Sequence, residues 1–344
     1  MSGQYYSFEQ ERIYWMDALK GLGITVMVLG HMAITETLSG WINSFHMPMF
    51  FMISGFLYEK HKETNFWKFV RKKLETLIFP YICFSLISIL FSCMKKLISP
   101  DSTSVAEVIL QFLKGNVVES NLPLWYLTTL FFVTITFFLI AKWGEAIQVI
   151  LILSGITIIV LAFQLPFRLE RGIKGLIFYG TGWLMRCTYK WLKKEHGHYC
   201  FPDLLGGVTV MVGLSIWLII IQMLNINGIA LNIGNMETFN TLLLFPISLL
   251  GTAVFVGFAR RLQYSELIRY LGAHSIVILC THILVKDVLS VTIKIVTHKS
   301  DGWIHQVNNL QSVILTIAIL LLEIPIIYVI KKYLPFLIGK HKNK

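Results

Sequence analysis

Charge is scarce in this 344-residue chain: Asp, Glu, Lys and Arg make up 14% of it, against 55% hydrophobic residues and a mean hydropathy of +0.67. Soluble domains carry about 25% charged residues, so the composition excludes an ordinary aqueous globule and points to a bilayer. Cysteine is sparse too. Cys83, Cys93, Cys187, Cys200 and Cys280 lie inside or at the ends of apolar segments without CxxC or metal-ligand spacing, which suggests neither a disulfide framework nor a metal site. There is no repeat of fixed period and no low-complexity tract. The longest stretches outside apolar runs, 99–123 and 225–239, are too short for a soluble domain.

Long apolar runs fill the sequence instead. Windows of about 19 residues select spans near 17–35, 42–58, 76–98, 124–141, 146–163, 173–189, 204–224, 240–259, 273–291 and 310–332. They predict an all-α integral membrane protein, a bundle of about ten transmembrane helices forming one domain over residues 1–344. The first run follows a polar and aromatic stretch and lacks a small-residue cleavage site, so it reads as an uncleaved signal anchor. The second, WINSFHMPMFFMISGFLY, is short and interrupted by Pro48 and Gly55, which predicts a kinked or broken helix.

Basic residues orient this layout, because Lys and Arg accumulate on the cytoplasmic side. Alternate loops hold 21 of the 30, including Lys60 to Lys73 and Lys331 to Lys344, and this places both termini in the cytoplasm. The net charge of +11 is then a topological signal plus attraction to anionic membrane lipid, and it gives no warrant for nucleic-acid binding.

Polar residues within the spans carry the chemistry. Eleven residues separate Lys20 from His31, three helical turns plus about 20°, so the two side chains share a face. Asp17 precedes Lys20 by three residues on the same stripe. A Lys or Asp at the centre of a span costs about 2.5 to 3.5 kcal/mol, and the stripe therefore implies a polar cavity. The loop between the first two spans centres near Leu38, which sets His31 and His46 at similar depth; His46 reads equally as a residue that hydrogen-bonds a neighbouring helix. In LPLWYL, Trp125 and Tyr126 fall where an interfacial aromatic belt is expected. His282 lies near mid-depth of the ninth span, with Lys286 one turn above it and Asp287 alongside. Glu323 lies near mid-depth of the tenth, where it pairs with another helix or lines the cavity. The loop EKHKETNFWKFVRKK holds six cations, which suit a lipid surface or a polyphosphorylated cytosolic ligand.

These residues together resemble the membrane-bound acyltransferase-3 family, in particular its fucose 4-O-acetylase-like and surface-polysaccharide O-acetyltransferase branch. The resemblance covers most of the chain. It is carried by YWMDALKGLGITVMVLGH, with a basic residue, ten residues and then His at Lys20 and His31; by FHMPMFFMISGF; by the basic loop running into LIFPY; by LPLWYL; and by SIVILCTH ending at His282.

The resemblance implies an enzyme of the bacterial inner membrane that moves an acyl group, usually acetyl, from cytoplasmic acetyl-CoA to a glycan hydroxyl at the outer face. It implies His31 as the catalytic centre, acting as general base or as nucleophile through an acyl-imidazole, with Asp17 holding Lys20. His46, Trp125 and His282 would line the chamber, and Lys68, Arg71, Lys72 and Lys73 would meet the acyl-CoA phosphates. Two departures are evident. Many members have Arg where this chain has Lys20, which replaces a bidentate fork with a point charge. Many also carry two Arg three apart before the Pro-Tyr pair, where Lys68 and Arg71 stand here. No esterase domain is appended, as expected of a standalone member. Succinyl and other short acyl donors, the acceptor sugar and the oligomeric state are left open. Two other readings fit the span pattern: a transporter or flippase for a glycan or small substrate, and a relay that exports acyl groups to a separate enzyme.

Overall fold

The computed structural model describes residues 13–60, 65–98, 110, 119–143, 169–196, 207–234, 238–298, 304 and 306–339, and among them every regular element is helical. Helix α1 (Tyr14–Gly30) ends at His31, whose φ of −97° and ψ of 4° leave the helical path. The Thr35 hydroxyl then caps α2 (Glu36–Asn43) by accepting from the Leu38 amide. Phe45, at φ −142°, breaks the path again before α3 (His46–Phe56). Asn65 caps α4 (Phe66–Lys73), which runs through a π-helical turn at Leu74–Ile78 into α5 (Phe79–Ile98). A 3-10 turn at Glu119–Leu124 leads into α6 (Trp125–Trp143). Helices α7 (Leu169–His196), α8 (Gly207–Ile226) and α9 (Thr238–Arg261) follow. The short α10 (Glu266–Ala273), capped by Ser265, precedes α11 (Ser275–Thr297). A reciprocal capping box between Asn308 and Gln311 opens α12 (Asn309–Tyr333), which ends in a 3-10 turn at Pro335–Ile338.

Six helices among the described residues are long and apolar enough to cross a membrane: 66–94, 121–142, 207–226, 242–261, 275–297 and 309–333. The expected first span is α1, shortened because the chain leaves the helix at His31. The expected second span is the pair α2 and α3, broken at Ser44 and Phe45 rather than at Pro48. Pro48 sits in the first turn of α3, where a missing amide leaves no carbonyl unsatisfied and the ring is tolerated. The span expected at 146–163 lies outside the described residues, as do Arg12, Lys62, Cys200, Lys340, Lys342 and Lys344.

Apolar side chains cover the exterior, among them Leu86, Leu90 and Met94 on α5, Met211 and Ile219 on α8, and Ile317 and Leu321 on α12. A surface of this kind suits lipid and not water. Inside, helices approach through glycine. A Cβ on Gly55 would lie 1.8 Å from the Tyr179 carbonyl oxygen, and one on Gly182 would lie 1.9 Å from that of Met52, so α3 and α7 meet backbone to backbone. Helix α10 lies against α1 in the same way, with Gly21 facing the Ile268 carbonyl and Gly272 facing that of Asp17. The close approach that Gly55 permits is thus a helix contact. Tyr58, Phe137, Tyr179 and Trp183 fill the adjoining space, with Phe137 ring-centroid distances of 5.1, 4.8 and 5.5 Å to the other three.

Candidate active site

A cavity of about 170 Å³ opens at the end of the bundle where α1 stops, the α2–α3 break occurs, and α6 and α7 begin. Its wall takes Met27 and His31 from α1, Asn43, His46 and Met47 from the break, and Trp125 and Tyr126 from α6. Arg171 comes from the first turn of α7, Asn232 to Gly234 from the segment before α9, and Leu279 from α11. This is room for several water molecules.

The segment that carries His31 is fixed from outside its own helix. Lys286 of α11 donates to the His31 carbonyl at 3.2 Å. Ser312 of α12 donates to the carbonyl of Ala33, and the Asn309 side chain bonds both the amide and the hydroxyl of Thr35, at 2.9 and 3.2 Å. A turn with few helical bonds of its own is thereby held by three polar groups from two neighbouring helices.

Three imidazoles surround this point. The rings of His31 and His282 lie 5.2 Å apart, tilted by 43°. His282 Nδ1 faces the Ile278 carbonyl at 2.8 Å, and His46 Nδ1 faces that of Ile42 at 2.7 Å. A carbonyl oxygen only accepts, so Nδ1 donates in both rings and, in the neutral form, Nε2 carries the lone pair. His282 is fully buried, and its Nε2 has no hydrogen-bond partner among the described residues. Helical geometry thus fixes the tautomer of two imidazoles through the i−4 carbonyl.

The other sequence-derived residues fall into three places. Asp17 and Lys20 form an ion pair at 3.5 Å, with side chains 13% and 23% exposed. They lie outside the cavity, Lys20 roughly 16 Å and Asp17 roughly 21 Å from His31 along the α1 axis. Lys68, Arg71, Lys72 and Lys73 lie on α4, away from the cavity; Arg71 pairs with Glu75 at 3.0 Å on the surface, and the Lys73 ammonium stands 5.4 Å from the Phe69 ring centroid. Glu323 is fully buried and accepts from the Thr281 hydroxyl at 2.9 and 2.7 Å, which ties α12 to α11 without reaching the cavity wall. Trp125 is 6% exposed and lines the cavity, as Tyr126 does.

Two residues here were not anticipated from the sequence. Arg171 lies in the wall, with its guanidinium carbon 5.2 Å from the Trp125 ring centroid. Its signal was positional, since it is one of the nine basic residues on the cation-poor side of the expected topology. Asn121 is fully buried and donates to Ser88 Oγ at 3.0 Å and to the Cys280 carbonyl at 2.8 Å. It anchors the Leu122–Pro123 wall to α5 and α11, which a lone polar residue ahead of LPLWYL does not reveal.

A family model described as an acyltransferase domain, Acyl_transf_3, matches residues 13–330. The chain belongs to the acyltransferase-3 family. It is therefore a multi-pass membrane acyltransferase, and acyl transfer replaces unaided transport as the reading of the polar stripe. No curated protein and no solved structure matches the chain.

Proposed function

We propose that this acyltransferase moves an acetyl group from cytoplasmic acetyl-CoA to a hydroxyl of a cell-surface or lipid-linked glycan at the outer face of a bacterial inner membrane, with His31 at the reacting centre. The observation that carries this reading is the placement of His31. It ends α1 at a wall of imidazole, amide and aromatic groups, while Lys20 within that helix sits roughly 16 Å away toward the opposite end. That rise is comparable to a pantetheine arm. Phosphates held among Lys20 and the cations of α4 would leave the thioester near His31.

In this reading His31 is the general base. The imidazole removes the proton of the glycan hydroxyl as its oxygen bonds the thioester carbonyl carbon. The carbon–sulfur bond breaks, CoA leaves as the thiolate, and the imidazolium returns the proton to yield the thiol. The neighbouring His282, with Nδ1 committed to the backbone and its ring 5.2 Å from that of His31, offers a second basic nitrogen near the first imidazole. Asp17 fixes the Lys20 ammonium, and Asn121 and Tyr126 keep the wall in place. The fucose 4-O-acetylase-like branch is the expected relationship within the family.

The test is the O-acetyl content of surface glycan in the native host after deletion of the gene and restoration with wild type or His31→Ala. Acetyl restored by wild type alone supports the proposal and identifies the acceptor sugar. Restoration by both removes His31 from the mechanism, and no change on deletion contradicts the acetyl transfer itself.

A further inference from the structure

Helix α11 meets His31 twice with one face. Lys286 donates to the His31 carbonyl at 3.2 Å, and four residues earlier His282 sets its ring 5.2 Å from the His31 ring; positions four apart on a helix stand one above the other. His31 lines the cavity, and from α11 so does Leu279, whereas His282 is fully buried beside His31 and takes no part in the wall. Its Nδ1 donates to the Ile278 carbonyl at 2.8 Å, which leaves Nε2 as an acceptor. That nitrogen is enclosed and meets no donor among the described residues, a costly state for a buried lone pair. The half-buried His31 ring likewise makes no hydrogen bond with the described residues. A neutral imidazole has one N–H and one lone pair, and a general base must turn the lone pair to the hydroxyl it deprotonates. The N–H of His31 is then directed away from that hydroxyl, and His282 Nε2 is an acceptor beside it.

We propose that His282 is a positioning residue for His31: its Nε2 accepts the N–H of the His31 imidazole and so fixes the tautomer whose other nitrogen presents its lone pair to the acceptor hydroxyl. This rests on the general-base reading above and adds to it the group that orients the base. The last torsion of a histidine side chain is broad, so a turn of the His31 ring brings its N–H onto Nε2 across the 5.2 Å between ring centroids. In the transfer step the hydroxyl O–H bond breaks and its proton bonds the cavity-facing nitrogen of His31. The imidazolium keeps its inner N–H on His282, where the new charge strengthens the hydrogen bond. No proton passes to His282, and the one taken up goes to the CoA thiolate. A ring contact alone would leave His31 free to take either tautomer, and only one of the two is the base.

The experiment uses inverted membrane vesicles from the native host with the gene deleted, carrying full-length wild type or a variant. The donor is acetyl-CoA labelled in the acetyl group, and the vesicles' own glycan is the acceptor. His282→Leu fills the space without the accepting nitrogen and should lower kcat per folded protein roughly 10- to 100-fold with the KM for acetyl-CoA unchanged. His282→Gln places an amide oxygen near the position of Nε2 and should restore most of that loss. A second measurement needs no turnover. In nanodiscs with acetonyl-CoA, a thioether that cannot transfer its acyl group, and histidine labelled with the heavy nitrogen isotope, wild type should show a nitrogen–nitrogen coupling between the His31 and His282 rings. That coupling marks an N–H···N hydrogen bond, and His31→Ala and His282→Leu should each abolish it. Wild-type kcat in His282→Leu, a loss in His282→Gln as deep as in His282→Leu, or no coupling in wild type would overturn the pairing while the transfer reading stands. Wild type that labels no glycan would overturn the transfer reading, and the coupling would still decide the pairing.

Discussion

Lys286 reaches 255 positions back along the chain to donate its ammonium to the carbonyl oxygen of His31 at 3.2 Å. The residue proposed to do the chemistry thus stands on a turn whose backbone is completed by a different helix. A hydrogen bond from a charged donor contributes about 1.5 to 3 kcal/mol, and here it is directed at position rather than at overall stability.

Replacement of Lys286 by Met should therefore lower kcat roughly 10- to 100-fold with little change in the KM for acetyl-CoA, since the donor's charged end is expected near Lys20. Lys286→Arg should recover part of the loss. The measurement is steady-state acetyl transfer by protein in nanodiscs. A matched rise in KM at constant kcat would place Lys286 in donor binding instead.

The glycine contacts give predictions of opposite sign. Gly→Ala within a helix ordinarily stabilises by up to about 1 kcal/mol. At Gly21 and Gly272 the new Cβ would lie 2.0 and 1.8 Å from carbonyl oxygens, so G21A and G272A should each destabilise by about 1 to 3 kcal/mol or more by forcing α10 off α1. At Gly213 the nearest neighbour would be at 3.4 Å, an ordinary contact, and G213A should be neutral or stabilising. Thermal unfolding in detergent reads all three, and equal shifts would contradict the close approach.

Much of this architecture was legible in the sequence because lipid imposes a length and a hydropathy on each span. The helices at 79–98, 125–143, 207–226, 238–261, 275–297 and 309–333 fall where windows of apolar residues put them. The spacing of Lys20 and His31 was likewise enough to set Lys20 within the first helix and His31 at its end. Chain breaks were harder. Pro48 reads as an interruption, yet the break is at Ser44 and Phe45, residues with no strong local signal, because distant partners hold it: Ser248 donates to the Ser44 carbonyl, and Phe45 packs on Trp217 and Phe255. Depth alone puts Trp125 in an aromatic belt and only the family resemblance puts it in the chamber, where it lines the cavity, since depth does not say which way a residue faces. Arg171 and Asn121 escaped notice because their partners come from segments far along the chain, Trp125 for the first and Ser88 and Cys280 for the second.

Glu323 is predicted to be architectural. Its two oxygens lie 2.9 and 2.7 Å from the Thr281 hydroxyl, with no exposure and no share of the cavity wall. Glu323→Gln keeps the shape and the polar contact, and should unfold within about 1 kcal/mol of wild type. Glu323→Ala leaves a void, while the Thr281 hydroxyl keeps its bond to the Val277 carbonyl at 2.8 Å, and should lose about 2 to 4 kcal/mol. Unfolding of the two variants in detergent separates these outcomes. Loss of acetyl transfer in Glu323→Gln at unchanged stability would instead assign the carboxyl a chemical role.

The central claim is that His31 is where acyl donor and glycan meet. Its most direct test is transfer of label from acetyl-CoA labelled in the acetyl group to an acceptor glycan, by purified wild type and by His31→Ala in nanodiscs, with acetyl-CoA binding measured on the same samples. The account predicts that wild type labels the glycan, and that His31→Ala binds acetyl-CoA but labels at least 100-fold less, roughly the contribution of a general base. A His31→Ala protein that binds the donor and labels the glycan at the wild-type rate would contradict it.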